Sequence, residues 1–138
     1  MKTIASTALP AHVQQPRYDR EQLRSRIVHF GFGAFHRAHQ ALLTNRVLNA
    51  RGGDWGICEI SLFSGDVLMG QLRAQDHLFT VLEKGAEGNQ PIIIGAVKEG
   101  LNAKLDSLAA IIEKFCEPQV AIVSLTITEK GYCIDPAT

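Results

Sequence analysis

A chain of 138 residues with 46% hydrophobic content is sized for one domain with a substantial core. Fourteen Lys and Arg balance fourteen Asp and Glu, which excludes a general positive field of the kind that draws nucleic acid or anionic membranes. No apolar run reaches membrane-spanning length, and residues 1–26 hold no apolar signal-peptide core. Cys58, Cys116 and Cys133 are widely spaced without a C-x-x-C pair, so they read as reduced thiols of a cytoplasmic protein and offer no metal site.

Taken in order, residues 1–26 carry two prolines, several glutamines and scattered charges, and read as an N-terminal arm lying across a domain formed by 27–138. One helical turn is expected at 18–23, capped by Asp19. Ile27, Val28 and Phe30 suit a central parallel strand, covered on both faces and so free of alternation. A helix is expected over 37–50, with Ala38, Ala41, Leu42 and Leu48 near one face and the small alanines allowing close approach to a sheet. Residues 55–62 form a second strand, 67–74 a helix, 77–83 a third strand, and 92–97 a returning strand after a glycine-bearing turn. Leu105, Leu108, Ile111, Ile112 and Phe115 keep helical spacing, and 120–125 is a β-branched strand for the sheet centre. This alternation predicts an α/β fold, doubly wound around a mainly parallel sheet and lacking its second half.

The chemistry is expected after the first strand. Gly31 permits a tight exit, and Gly33 removes the Cβ that would hold a phosphate away from the backbone. The following helix aims free N–H groups and its positive dipole end at the same spot. The dinucleotide fingerprint places a third glycine where this chain has His36, so the glycines alone also fit a plain strand-to-helix turn. Arg37 is a candidate partner for a pyrophosphate oxygen or a solvated helix charge, and Phe35 a cover for the cofactor or a packing residue at the turn. His36 and His39 lack a third metal ligand; a hydrogen bond near the cofactor suits His36, and a structural role suits His39 equally well. Asp66 is the candidate carboxylate for the ribose hydroxyls. It lies 33 residues beyond Gly33, whereas the usual spacing is roughly 20, and it also fits as a helix cap; Glu59, within the strand, is a weaker candidate. Beyond the last strand, Ser124, Thr126 and Thr128 offer hydroxyls toward the nicotinamide half of a cofactor.

Phe35-His36-Arg37-Ala38-His39-Gln40-Ala41 resembles the signature of the polyol-specific long-chain dehydrogenases, the mannitol dehydrogenase family. Residues 54–59, 82–87 and 122–133 look most like its mannonate oxidoreductase (fructuronate reductase) branch, and the likeness runs from about Arg26 to the last residue. The resemblance implies a Rossmann-like domain binding NAD, and zinc-independent hydride transfer between C5 of D-mannonate and NAD to give D-fructuronate. It also implies that the family continues into a helical domain, absent from this chain, that carries a catalytic lysine and grips a sugar acid or polyol. Glu129 is then placed for proton transfer with that lysine; a solvated Glu129–Lys130 loop pair is the plainer reading. The rival to an oxidoreductase is a truncated, non-catalytic dinucleotide-binding or interaction module.

Overall fold

The computed structural model describes residues 8–86 and 88–127. Its centre is β1 (Arg24–Phe30), flanked by β2 (Trp55–Ser61) on one side and β6 (Ile122–Leu125) on the other, both parallel to it. β5 (Val97–Asn102) adds to the far edge of β2, giving the order β5-β2-β1-β6. Alternate residues of β1 and β2 face opposite ways, as the strand repeat requires. Ile27 and Ile57 belong to the core that also holds Ala41, Leu48, Met69 and Leu72, whereas Val28, Cys58 and Ile60 pack with Ile111. Helices therefore cover both faces. The α/β, doubly wound reading with a mainly parallel sheet holds.

Three helical segments follow β1 without a break: α1 (Ala34–His36), a π-helical turn (Arg37–Ala41) and α2 (Leu42–Arg51). The π turn changes which residues face the sheet. His36 and Ala41, five apart, are both buried, with Leu42, Asn45 and Leu48 continuing the inner face. Ala38 is exposed, contrary to the face expected for it, because the wider turn carries it past the sheet. Gly52 (φ +67°) closes the helix as a left-handed stop.

The largest departure from the expected pattern lies between α3 (Asp66–Ala74) and α4 (Leu108–Phe115). The strand expected at 77–83 is β3 (Phe79–Gly85), and it pairs antiparallel with β4 (Gly88–Ile94) in a separate two-stranded sheet. The third parallel strand is β5, which the sequence reading did not separate from 92–97. Its polar Lys98, Glu99 and Gly100 hide a strand that lies at the sheet edge and so needs no apolar run. Glu99 accepts from Ser25 and from Lys114 Nζ (2.7 Å), tying that edge to β1 and α4.

Residues 8–23, ahead of β1, are tied to the rest of the fold by side-chain and backbone contacts. The Tyr18 hydroxyl donates to Asn45 Oδ1 (2.6 Å), Arg20 pairs with Asp76, and Gln14 bridges to Ile92. Asp19 caps the 3-10 turn Arg20–Gln22 by accepting from the Glu21 N–H. No described helix is long and apolar enough to cross a membrane.

Candidate functional site

β1 has β2 on one side and β6 on the other, so the chain winds outward in one direction, then returns to the opposite side of β1. Open α/β sheets bind ligands at the carboxyl ends of the two strands flanking such a reversal. Here these are Phe30 and Leu125, register partners, which set Gly31 and Thr126 side by side beyond the sheet.

Gly31 leaves the strand at φ +99°, a conformation that disfavours any side chain, and its N–H donates to the Ile60 carbonyl (2.8 Å). Gly33 caps α1 in extended backbone, with no side chain accepting from the first turn. A Cβ built on either glycine would meet no atom within 4 Å. The turn thus opens onto free space, beneath which the first N–H groups of the long helix lack a side-chain cap. Gly31, Phe32 and Gly33 line a cleft of about 280 Å³ with Ser61, Ser64 and Gly65. A second, apolar cleft of about 420 Å³ adjoins it, between Phe30, Leu62, Phe63 and Leu125. Phe63 is 87% exposed at its rim. The first cleft offers glycine backbone and the Ser61 and Ser64 side chains to a phosphate, with Leu68 and Met69 also in its wall, and the second offers an apolar bed for a base.

The candidate side chains divide around this bed. Arg37 stands half-buried beside it, its guanidinium 5.2 Å from the Phe32 ring centroid and its Nε 3.4 Å from the Gly33 carbonyl. No carboxylate holds it among the described residues. Phe35 is 63% exposed and stacks on His39, whose Nδ1 lies 2.8 Å from the Phe35 carbonyl. Asp66 opens α3 but does not cap it; the cap position is Gly65 (φ +82°), and the carboxylate sits 3.4 Å from Lys104 Nζ. Asp66 lies one residue beyond the cleft that Ser64 and Gly65 line.

His36 points inward. It is fully buried, with Nε2 at 2.5 Å from Oε1 of the equally buried Glu59. Burial disfavours the charged form of each, raising the Glu59 carboxyl well above its ordinary range and lowering His36 to about 4. Its place is beneath the cradle rather than on it.

Ser124 and Thr126 stand at the carboxyl end of β6, both bonded to His29. Thr128 and Glu129 lie outside the described residues, as does Cys133. Cys58 is buried and burial raises its thiol, whereas Cys116 is exposed. No group of three or more His, Cys, Asp or Glu capable of holding a metal occurs among the described residues.

The sequence reading did not single out His29, Gln40, Ser61, Ser64 or Phe63. A usable signal existed for one row of polar residues: His29, Glu59 and Ser124 each sit two residues before Gly31, Ser61 and Thr126, where their strands give way to loops.

A parallel sheet reversing beside an open glycine turn defines a dinucleotide-binding α/β domain. The chain belongs to the mannitol dehydrogenase family: the family model "Mannitol dehydrogenase Rossmann domain" matches residues 25–138. It is 86% identical over 138 residues to an uncharacterized oxidoreductase, YeiQ, of Escherichia coli (strain K12), covering all of this chain and 28% of that protein. It is 51% identical over 140 residues to the D-mannonate oxidoreductase of the same organism, again covering all of this chain and 28% of the relative. Among solved structures, Pseudomonas fluorescens mannitol 2-dehydrogenase, in a ternary complex with NAD and D-mannitol, matches with a TM-score of 0.84 and 43% identity. That match covers 91% of this chain and 26% of the other. The chain thus spans little more than a quarter of the length of these relatives.

Proposed function

We propose that this chain is the NAD-binding portion of a cytoplasmic oxidoreductase that interconverts D-mannonate and D-fructuronate. The observation that carries the cofactor reading is the open glycine turn at the sheet reversal, with an uncapped helix start beneath it. The cofactor, when bound, supplies the hydride chemistry, and the protein supplies binding and orientation. The N–H groups at the start of the helix and the Arg37 guanidinium hold the pyrophosphate. Asp66 accepts from the ribose hydroxyls, with Phe63 and Leu62 beneath the adenine. Phe35 shields the turn from solvent. His36 acts from below, holding the helix start to β2 through Glu59. Ser124, Thr126 and Thr128 meet the nicotinamide half.

The substrate assignment is supported by the 51% identity to the D-mannonate oxidoreductase, against 43% to the mannitol 2-dehydrogenase of known structure. In the complete enzyme Glu129 exchanges the alcohol proton with a lysine supplied by a further, helical domain. General acid–base catalysis of this kind is worth about 10²–10⁴-fold, so the 138 residues alone bind cofactor without turning over sugar acid.

The test compares NADH formation from D-mannonate, D-altronate and D-mannitol by the longest natural product that carries this segment. Highest kcat/KM on D-mannonate supports the reading; preference for D-mannitol or D-altronate overturns the substrate. Sustained turnover by residues 1–138 alone overturns the placement of the catalytic lysine elsewhere.

A further inference from the structure

One polar row crosses the sheet beneath the cradle. Glu59, His29 and Ser124 are register partners on β2, β1 and β6, and the His29 ring stacks on His36 with centroids 3.6 Å apart and planes 14° from parallel. Buried His29 uses both ring nitrogens. Nδ1 lies 2.8 Å from Ser124 Oγ and Nε2 lies 3.2 Å from Thr126 Oγ1. Ser124 in turn donates to Gln40 Oε1 (3.1 Å).

The direction of every bond in this chain follows from counting protons. A serine hydroxyl has one, and Ser124 gives it to the Gln40 carbonyl, which can only accept. Ser124 therefore accepts from His29, so Nδ1 carries the ring proton. A neutral imidazole has one N–H, so Nε2 is a lone pair and Thr126 must donate to it. Burial, with His36 alongside, keeps the ring neutral by lowering it to about 4.

We infer that His29 is a positioning residue for the nicotinamide end of the cofactor site. By taking the Thr126 proton, it leaves that exposed hydroxyl with only lone pairs for a ligand, an acceptor suited to an N–H donor such as a carboxamide NH₂. The neighbouring Ser124 proton is spent on Gln40, so both described hydroxyls there, Ser124 and Thr126, face a ligand as acceptors. This inference rests on the reading that β6 ends against the nicotinamide.

Two measurements test it. In the free chain at pH 7, long-range imidazole ¹H–¹⁵N correlation should find His29 neutral with its proton on Nδ1, and Thr126→Val should shift the Nε2 resonance. An Nε2–H tautomer would overturn the inference. The second is calorimetric titration with NADH and with ADP-ribose, which lacks the nicotinamide. His29→Phe keeps the ring stack without the hydrogen bonds and should weaken NADH roughly tenfold relative to ADP-ribose. His29→Gln, whose amide oxygen reaches the Nε2 position, should recover most of that loss. Parallel weakening of both ligands means a general structural effect and sinks the positioning role. If Thr126→Val leaves the NADH to ADP-ribose ratio unchanged while the tautomer is as stated, the hydrogen-bond chain stands and the placement of the nicotinamide at β6 falls. Should His29→Phe fail to fold, the tautomer and Thr126→Val decide.

Discussion

His36 on the helix and Glu59 on β2 meet in the interior with 2.5 Å between Nε2 and Oε1, and neither side chain reaches solvent. Ionising either one alone would strand a charge in the core, and burial pushes both toward their neutral forms. Among the described residues, His36 Nδ1 and Glu59 Oε2 make no hydrogen bond of ordinary geometry. Such a pair costs free energy to bury. What it secures is the start of the helix that carries the cradle, pinned to the neighbouring strand at one point.

The pair sets a pH signature for stability. Unfolded, the two groups titrate near 4.5 and 6.5; folded, the carboxyl is raised and the imidazole is lowered to about 4. Between pH 4.5 and 6.5 both states bind one proton, so the pair contributes no slope. Above 6.5 the unfolded chain has released that proton while the raised Glu59 carboxyl holds it longer in the fold, so stability falls as pH rises. His29, lowered from 6.5 to about 4, acts on the other side: the unfolded ring takes a proton that the folded ring refuses, and stability falls from pH 6.5 toward 4. Urea unfolding across pH 4–9 should therefore peak near pH 6.5. Glu59→Gln should flatten the alkaline limb, and an alkaline limb unchanged in that variant would show that Glu59 is ionised in the fold.

Among the described residues, Arg37 lies over the Phe32 face and donates to the Gly33 carbonyl at an exposed 3.4 Å contact that contributes little to the fold. Arg37→Ala should leave the melting temperature within a degree or so of the parent. NADH affinity should fall at least tenfold, since a charge-assisted bond to phosphate is worth roughly 1.5–3 kcal/mol. Equal affinity by fluorescence titration would reduce Arg37 to a surface charge.

How far these features were legible in the sequence differs element by element. β1, β2 and α3 follow from local pattern, because apolar runs act within a few residues. The π turn does not: nothing in Arg37-Ala38-His39-Gln40-Ala41 announces an extra residue in the turn, and a regular helix put Ala38 on the wrong face. β5 was missed because an edge strand can carry Lys98 and Glu99 when its partners arrive from Ser25 and Lys114, far away in sequence. For the site, Gly31 and Gly33 were readable since their signal is steric and local. The inward direction of His36 was not, because it depends on Glu59, which only the sheet register brings beneath it.

Asp66 carries the preference for NAD over NADP in this account, by opposing a 2′-phosphate from the first turn of α3. Lys104 at 3.4 Å offsets part of that charge. Asp66→Ser should narrow the ratio of NADPH to NADH dissociation constants by about tenfold or more, chiefly by improving NADPH. An unchanged ratio would pass the discrimination to Ser64 and Gly65, which line the cleft directly.

The central claim is that the turn at Gly31 and Gly33 receives the pyrophosphate of NAD, and Gly33 tests it most directly. Its backbone is extended, so a side chain there adds no strain, and its Cβ would enter open space rather than the protein. Gly33→Val should therefore melt with the parent chain while filling the space meant for phosphate. Calorimetric titration of NADH into both proteins is the measurement: the account predicts clear binding to the parent and loss of at least two orders of magnitude in affinity for Gly33→Val, about 2.7 kcal/mol. Equal NADH affinity in a variant with an unchanged melting curve would contradict it.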